Sequence, residues 1–216
     1  MIAVSIPVRQ SDYSRLFSKV HLCSTEMDQK IKKIKIGKDF CQELESKGIS
    51  YSWCIKHPEV LGCSQSREYY QRYQEYLGSD YSICKHLLVH ERKGEKRTFL
   101  IIVDDEKSVD LKELKEQIGC SKLEFVSSEE MDELLHTVPG NVSLFHMKFD
   151  INHKVDLIID RELLDKSLLA FHPLYNGMSL FLTPDSALEY LGTINRTGTI
   201  MEVPSKKQER VLEKAM

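Results

Sequence analysis

Lys85 is the first residue of this 216-residue chain whose type and setting could do chemistry. It sits inside the apolar run Ile83-Cys-Lys-His-Leu-Leu-Val89. A lysine there either snorkels to the sheet edge or lines a pocket. A second polar group gathers at Phe171-His-Pro-Leu-Tyr-Asn-Gly177, where His172, Tyr175 and Asn176 flank a turn between two strand-like runs. Pro173 fixes φ, and Asn176-Gly177 supplies residues that tolerate φ > 0 in a hairpin. Loops held by a rigid sheet often carry binding groups. His-Pro and Asn-Gly are also ordinary hairpin punctuation, so spacing alone leaves both readings open.

Other reactive residue types are scattered. Cys54, His57 and Cys63 lie close together, but a fourth ligand at zinc spacing is missing. His136, His146, His153 and His172 fall on separate segments and form no ligand set. The chain has no phosphate-cradling Gly-rich loop and no Gly-x-Ser-x-Gly elbow. The reading is therefore of a site without metal or cofactor.

The elements that must position these residues follow from periodicity and punctuation. Residues 28–48 have near-helical apolar spacing with Gly48 as the stop, and Ile49 to Ile55 alternates as a strand. A Tyr-rich helix is expected over Ser66 to Leu77, closed by Gly78. Ser82 to His90 and Arg97 to Val103 read as a hairpin. Asp110 caps a helix to about Ile118, and Leu123 to Val126 is a short strand. Ser127-Ser-Glu-Glu130 is a capping box for a helix to His136. Val138-Pro-Gly140 breaks the chain before 141–148. Val155 to Asp160, Ser167 to His172 and Met178 to Thr183 are strands, with a turn or single helical turn at 161–165. Thr183-Pro184 opens a helix with cap and N1 proline in place. Thr199 to Val203 is the last strand. The irregular alternation points to a mixed α/β sheet surrounded by helices, and the length suits one domain.

Composition bounds the class. The chain is 41% hydrophobic and 29% charged, as in soluble globular proteins. Its six cysteines include no Cys-x-x-Cys pair, which suits free thiols in a reducing compartment. No apolar stretch approaches the roughly 18–20 residues of a membrane span, and the N-terminus lacks secretory features. A cytoplasmic protein with no membrane partner is expected. Residues 1–38 carry eight basic and three acidic side chains, +5 net, which leaves −8 for the rest of a chain at −3. A basic arm on an acidic body fits weak phosphate contact, or a merely solvated helix face.

Six segments in order carry a further resemblance: Lys47-Gly-Ile-Ser-Tyr51, His57-Pro58, Cys84-Lys-His-Leu-Leu88, Val109-Asp-Leu-Lys-Glu-Leu114, Val138-Pro-Gly140 and Phe171-His-Pro-Leu-Tyr-Asn176. Together they resemble the YbaK/prolyl-tRNA-synthetase-associated editing domain family, in the flavour of the free-standing prolyl-tRNA deacylase. The likeness spans residues 38–203, with 1–37 as a basic N-terminal extension and 204–216 as a charged tail.

The resemblance implies a trans-editing aminoacyl-tRNA deacylase that hydrolyses the ester of mischarged tRNA for proline, alanine foremost. A deacylase for cysteine, serine or threonine is the alternative, or a non-catalytic module binding tRNA or a synthetase. Lys85 matches the family lysine that faces the tRNA end. Gly140 matches the glycine of a Gly-x-x-x-Pro loop, and His172 and Asn176 match a His-Pro-Leu-x-Asn segment. Lys85, Gly140 and His172 are thus implied in catalysis, and His86, Asn141, Ser143, Phe171 and Asn176 in substrate binding. The implied partners are the tRNA acceptor end and prolyl-tRNA synthetase, with no DNA. Two positions depart from the pattern: Leu144 stands where the family has Pro, and His86 where many relatives have Asn.

Overall fold

The computed structural model describes residues 24–60 and 62–206. The arm before residue 24 and most of the tail lie outside the described residues. The first helix, α1 (Ser24–Ser46), runs unbroken through residue 37, the boundary expected from sequence between arm and domain. It ends as foreseen at Gly48, whose φ of 76° suits a residue without Cβ. The Ile49 N–H closes the end by donating to Leu44 O, the 6→1 bond of a Schellman turn.

That turn shortens the strand expected over 49–55. Only β1 (Trp53–Lys56) pairs, because the chain from Lys47 to Ile49 is spent closing the helix. The single helix expected over 66–77 is two: α2 (Cys63–Gln71) and α3 (Gln74–Leu77), broken at Arg72-Tyr73. The central hairpin is β2 (Tyr81–Glu91) and β3 (Thr98–Asp104). Then come α4 (Leu111–Gln117), capped by the Asp110 side chain, β4 (Leu123–Phe125), and α5 (Ser128–Leu135) with the Ser127/Glu130 capping box. Residues 141–148, left without a type from sequence, end in a 3₁₀ turn, Leu144–Phe149. The chain closes with β5 (Val155–Asp160), a 3₁₀ turn (Arg161–Asp165), β6 (Leu168–Phe171), β7 (Met178–Leu182), α6 (Pro184–Thr193) and β8 (Thr199–Met201).

The strands form one mixed eight-stranded sheet in the order β1-β7-β6-β2-β3-β5-β8, with β4 also on β2. Its two faces are covered by different helices. Leu88, Leu100, Ile102 and Ile159 pack with Phe40 and Leu44 of α1, Leu135 of α5 and Tyr190 of α6. On the other face Val89, Ile101 and Val103 meet Leu114 of α4, while Ile83, Ala170 and Phe181 meet Tyr70 of α2.

The sheet has a fork. Along one edge β2 pairs in parallel with β6 at Tyr81–Ile83 and antiparallel with β4 at Val89–Glu91. Along its other edge it pairs with β3 from Cys84 to His90. Residues Cys84 to Leu88 therefore face a gap between β6 and β4. β6 ends there because Pro173 cannot extend a ladder. Ligands in open sheets bind beyond the carboxyl ends of parallel strands where neighbours part, and Lys85 and His86 lie at that place.

Candidate active site

Side chains alternate across β2. Cys84 and Leu88 belong to the α1 face, so His86 points there too. Leu87 and Val89 belong to the α4 face, so Lys85 points the other way. The Lys85 ammonium donates to Asp105 O (2.9 Å) and Lys107 O (2.5 Å). Two of its three N–H donors are thus fixed and one is left over. The acceptor loop is anchored: Lys107 pairs with the buried Asp160 at 2.6 Å, and Asp105 with Arg67 of α2 at 2.6 Å.

His172 follows Phe171, the last paired residue of β6, two residues beyond the Ile83–Ala170 pair. Its Nδ1 lies 3.0 Å from Met178 O; a carbonyl only accepts, so Nδ1 carries the proton and Nε2 is a bare acceptor. Burial holds the imidazole below its ordinary range. Three further histidines surround it. The His57 ring centroid is 6.0 Å away. The His86 ring lies 5.6 Å from Phe171, and Phe171 is 5.6 Å from Phe145, next to His146. Burial, with a smaller contribution from His172, pushes His57 and His146 down to about 4 and His86 to about 3. The nest is neutral at physiological pH.

Hydrogen bonds assign its tautomers. His57 Nδ1 donates to Pro58 O (2.8 Å), so Nε2 accepts from Ser179 Oγ (2.9 Å), which in turn accepts from Tyr70 Oη (2.5 Å). His146 Nδ1 accepts from the Ser143 N–H, which leaves the proton on Nε2. His86 Nε2 is sealed from solvent without a partner.

Three loops are tied together beside the nest. Asn176 Nδ2 donates to Val60 O (3.0 Å) and reaches Gly140 O (3.5 Å). Asn141 Nδ2 donates to Leu174 O (3.2 Å) and Thr137 Oγ1 (3.1 Å). Gly140 has φ +82°, a conformation that favours glycine. Expectation and structure part at the hairpin tip: the positive φ falls on Leu174 (60°), not on Asn176 or Gly177. The six-residue connection is too long for a two-residue primed turn. Gly177 is needed instead for space, because a Cβ there would lie 2.4 Å from the Tyr175 ring. Gly37 does the same for α1, where a Cβ would meet Met178 Sδ at 2.7 Å.

The structure thus gathers His86, Phe171, His172, Asn141, Ser143 and Asn176 around one end of the sheet, with Gly140 exposed at the rim. Lys85 reaches the same fork from the face opposite His86 and Phe171. Ser143 is fully buried as the cap of the 3₁₀ turn. Leu144 is the first residue of that turn, a position where proline's missing N–H costs nothing, so the Leu/Pro departure is conformationally mild. Met178 and Leu180 are buried in the main core. Sequence reasoning missed the convergence of His57 and His146 on His172. The only signal was His57-Pro58, which entered there as one of the six segments of the resemblance. The trio Cys54, His57 and Cys63 does not act as a ligand set: both His57 nitrogens are engaged, and among the described residues no group of three His, Cys, Asp or Glu is placed to hold a metal. A cavity of about 660 Å³ lies elsewhere, between the start of β5 and residues 195–199, and none of the site residues lines it.

The family model described as "Aminoacyl-tRNA editing domain" matches residues 66–190, more than half of the chain. The chain belongs to the aminoacyl-tRNA editing domain family. Among curated relatives, the prolyl-tRNA editing protein ProX of Acetoanaerobium sticklandii is 33% identical over 101 residues, 47% of this chain and 61% of that protein. The match thus spans about six tenths of that relative's length. The prolyl-tRNA synthetase associated domain-containing protein 1 of Danio rerio is 25% identical over 68% of this chain and 77% of its own. The crystal structure of a candidate trans-editing enzyme for prolyl tRNA synthetase superposes with a TM-score of 0.57 at 18% identity, covering 79% of this chain and 98% of that one. This last likeness is one of fold. The editing-domain match begins at Ser66 in α2 and ends at Tyr190 in α6, and takes in Lys85, Gly140 and His172. No helix among the described residues is long and apolar enough to cross a membrane.

Proposed function

We propose that the protein is a trans-editing deacylase that hydrolyses the ester between a wrongly attached small amino acid, alanine foremost, and tRNA for proline. The observation that carries the reading is the fork. Among the described residues it brings a fixed ammonium and a neutral imidazole with a bare Nε2 to one end of the sheet, beside a left-handed glycine loop, within a matching editing domain. An aminoacyl ester is already activated. Its hydrolysis needs a placed water and stabilisation of a developing oxyanion more than a strong nucleophile.

In this reading Lys85 uses its remaining N–H for the tRNA end, acting by position and charge. His172 Nε2 accepts a hydrogen bond from the attacking water or the substrate ammonium. Gly140 offers main-chain contacts at the rim, and His86, Asn141, Ser143, Phe171 and Asn176 shape the aminoacyl pocket. Ser179 is fully buried behind His57, which supports hydrolysis without a covalent intermediate on that Ser–His pair. Size selection follows from rigid walls. One methylene in an apolar pocket is worth about 1–3 kcal/mol, and Tyr175 under Gly177 restrains the loop from yielding to a proline ring.

Lys33 ties α1 to the loop beside the mouth, and the other lysines of its middle turns lie on the outer face of the helix. Lys33 pairs with Glu59 (3.0 Å) in the loop after His57, and Lys32, Lys35 and Lys38 are exposed. These lysines are suited to acceptor-stem phosphates. The test is release of labelled alanine from alanyl-tRNA for proline at enzyme-limited turnover, with prolyl-tRNA spared. Binding without release would favour a non-catalytic module.

A further inference from the structure

The alternation along β2 also fixes where its main-chain groups point. In an antiparallel pair, hydrogen-bonded and non-bonded residues alternate. Glu91 N–H donates to Arg97 O and Asp105 N–H to Ile83 O, so the odd-numbered residues of β2 bond to β3. Even-numbered residues turn their N–H and C=O to the other edge: Leu88 O accepts from Val126 N–H, and Arg92 N–H donates to Lys122 O. On that edge the ladder to β6 stops at Ile83–Ala170 and the ladder to β4 starts at Val89–Phe125. His86 is the even residue between them. Neither strand supplies a partner for its N–H or C=O, and no side chain among the described residues does so. A main-chain pair in a sheet interior is almost always satisfied. Here it is left facing the gap, while the His86 ring itself packs against Phe171.

We propose that the His86 main-chain N–H is the oxyanion donor for the ester carbonyl of the substrate. This rests on the deacylase reading and names a group in its mechanism. Water oxygen bonds to the carbonyl carbon, and the C=O electron pair moves onto the oxygen that faces the N–H. Collapse of the adduct expels the ribose oxygen, which takes one proton of the water. The other proton leaves as the acid ionises. The donor is held by the β3 ladder through Lys85 and Leu87 on either side, so it needs no reorganisation as charge develops. No charged imidazole competes with it, because the surrounding nest is neutral.

Two measurements test the assignment. In the free protein, amide hydrogen exchange at His86 is expected to be fast while Lys85 and Leu87 are protected. Addition of 3′-alanylamino-3′-deoxyadenosine, an amide analogue that keeps the carbonyl, is expected to slow that exchange and shift the His86 amide resonance downfield. In the second arm, His86→Pro removes the N–H without touching a β3 hydrogen bond, and His86→Ala removes the imidazole alone. The proline variant is expected to show a kcat about 100-fold below the alanine variant, the loss typical of one oxyanion donor, with KM little changed between them. A His86 amide protected like its neighbours in the free protein, or one that the analogue leaves unmoved, overturns the assignment even if the proline variant fails to fold. A folded proline variant with kcat within threefold of the alanine variant also overturns it. Should the wild type release no amino acid from mischarged tRNA, the deacylase reading itself falls, which the exchange pattern of the free protein would not explain.

Discussion

Acidification from pH 7.5 to 5 is expected to weaken the fold through the histidine nest. His57 and His146 are 7% and 2% exposed, and burial lowers each from 6.5 to about 4. The unfolded chain protonates these rings as pH falls through 6.5, whereas the native state resists until about 4. The unfolded state therefore binds more protons throughout that window, and stability falls with pH. For a folded value near 4, each ring costs about 2 kcal/mol at pH 5, so the pair costs about 4 kcal/mol. His86 and His172 are lowered too and act in the same direction. Carboxylates contribute little here, because Glu43, Glu91, Glu124 and Glu130 are held below their usual range and titrate at lower pH. Against a typical total of about 5–15 kcal/mol this is a large change. Urea unfolding followed by the fluorescence of Trp53, the single tryptophan, reads it directly. With a slope of about 2 kcal/mol/M, the midpoint should drop by about 2 M. A midpoint that moves by less than about 0.3 M would refute a neutral, sealed nest.

Three other outcomes follow from single contacts. Gly177→Ala should destabilise by about 1–3 kcal/mol through overpacking against Tyr175, read as a lower urea midpoint, and should raise KM by displacing Asn176. Lys85→Ala should slow deacylation at least about tenfold, roughly 1.4 kcal/mol in the barrier, with an unchanged near-UV circular dichroism spectrum; wild-type turnover would remove Lys85 from the mechanism. Replacing Lys32, Lys35 and Lys38 together by Gln should raise KM and flatten its salt dependence while kcat holds, because phosphate contact is uniform binding. An unchanged salt slope would show that this side of α1 does not meet RNA.

What the sequence disclosed was local. The Asp110 cap, the Ser127/Glu130 box and Thr183-Pro184 each act within one helical turn, and all three are found where their spacing put them. The long central strands were legible from β-branched runs such as Phe99 to Val103. Local signals failed where a neighbour decided the outcome. Alternation over 49–55 was real, yet the Schellman turn at Gly48 used up its first residues. The Tyr-rich helix broke at Arg72-Tyr73 with no Gly or Pro there to announce it. The fork has no local signature at all, since it depends on β6 ending where β4 has not begun. His57, 115 residues before His172 in sequence, joins it only because β1, β7 and β6 lie side by side, and His146 arrives on the 3₁₀ turn whose Phe145 packs on Phe171. The resemblance named Lys85, Gly140 and His172 without giving their faces, and only the alternation along β2 reveals that Lys85 and His86 enter the fork from opposite sides.

The central claim is that this fork hydrolyses a mischarged aminoacyl ester. Its most direct test is a time course of wild-type protein with alanyl-tRNA and prolyl-tRNA, both made on tRNA for proline. The account predicts catalytic release of alanine, with many turnovers per protein, and prolyl-tRNA that decays no faster than in buffer. Alanine release no faster than buffer, or equal release of proline, would contradict it.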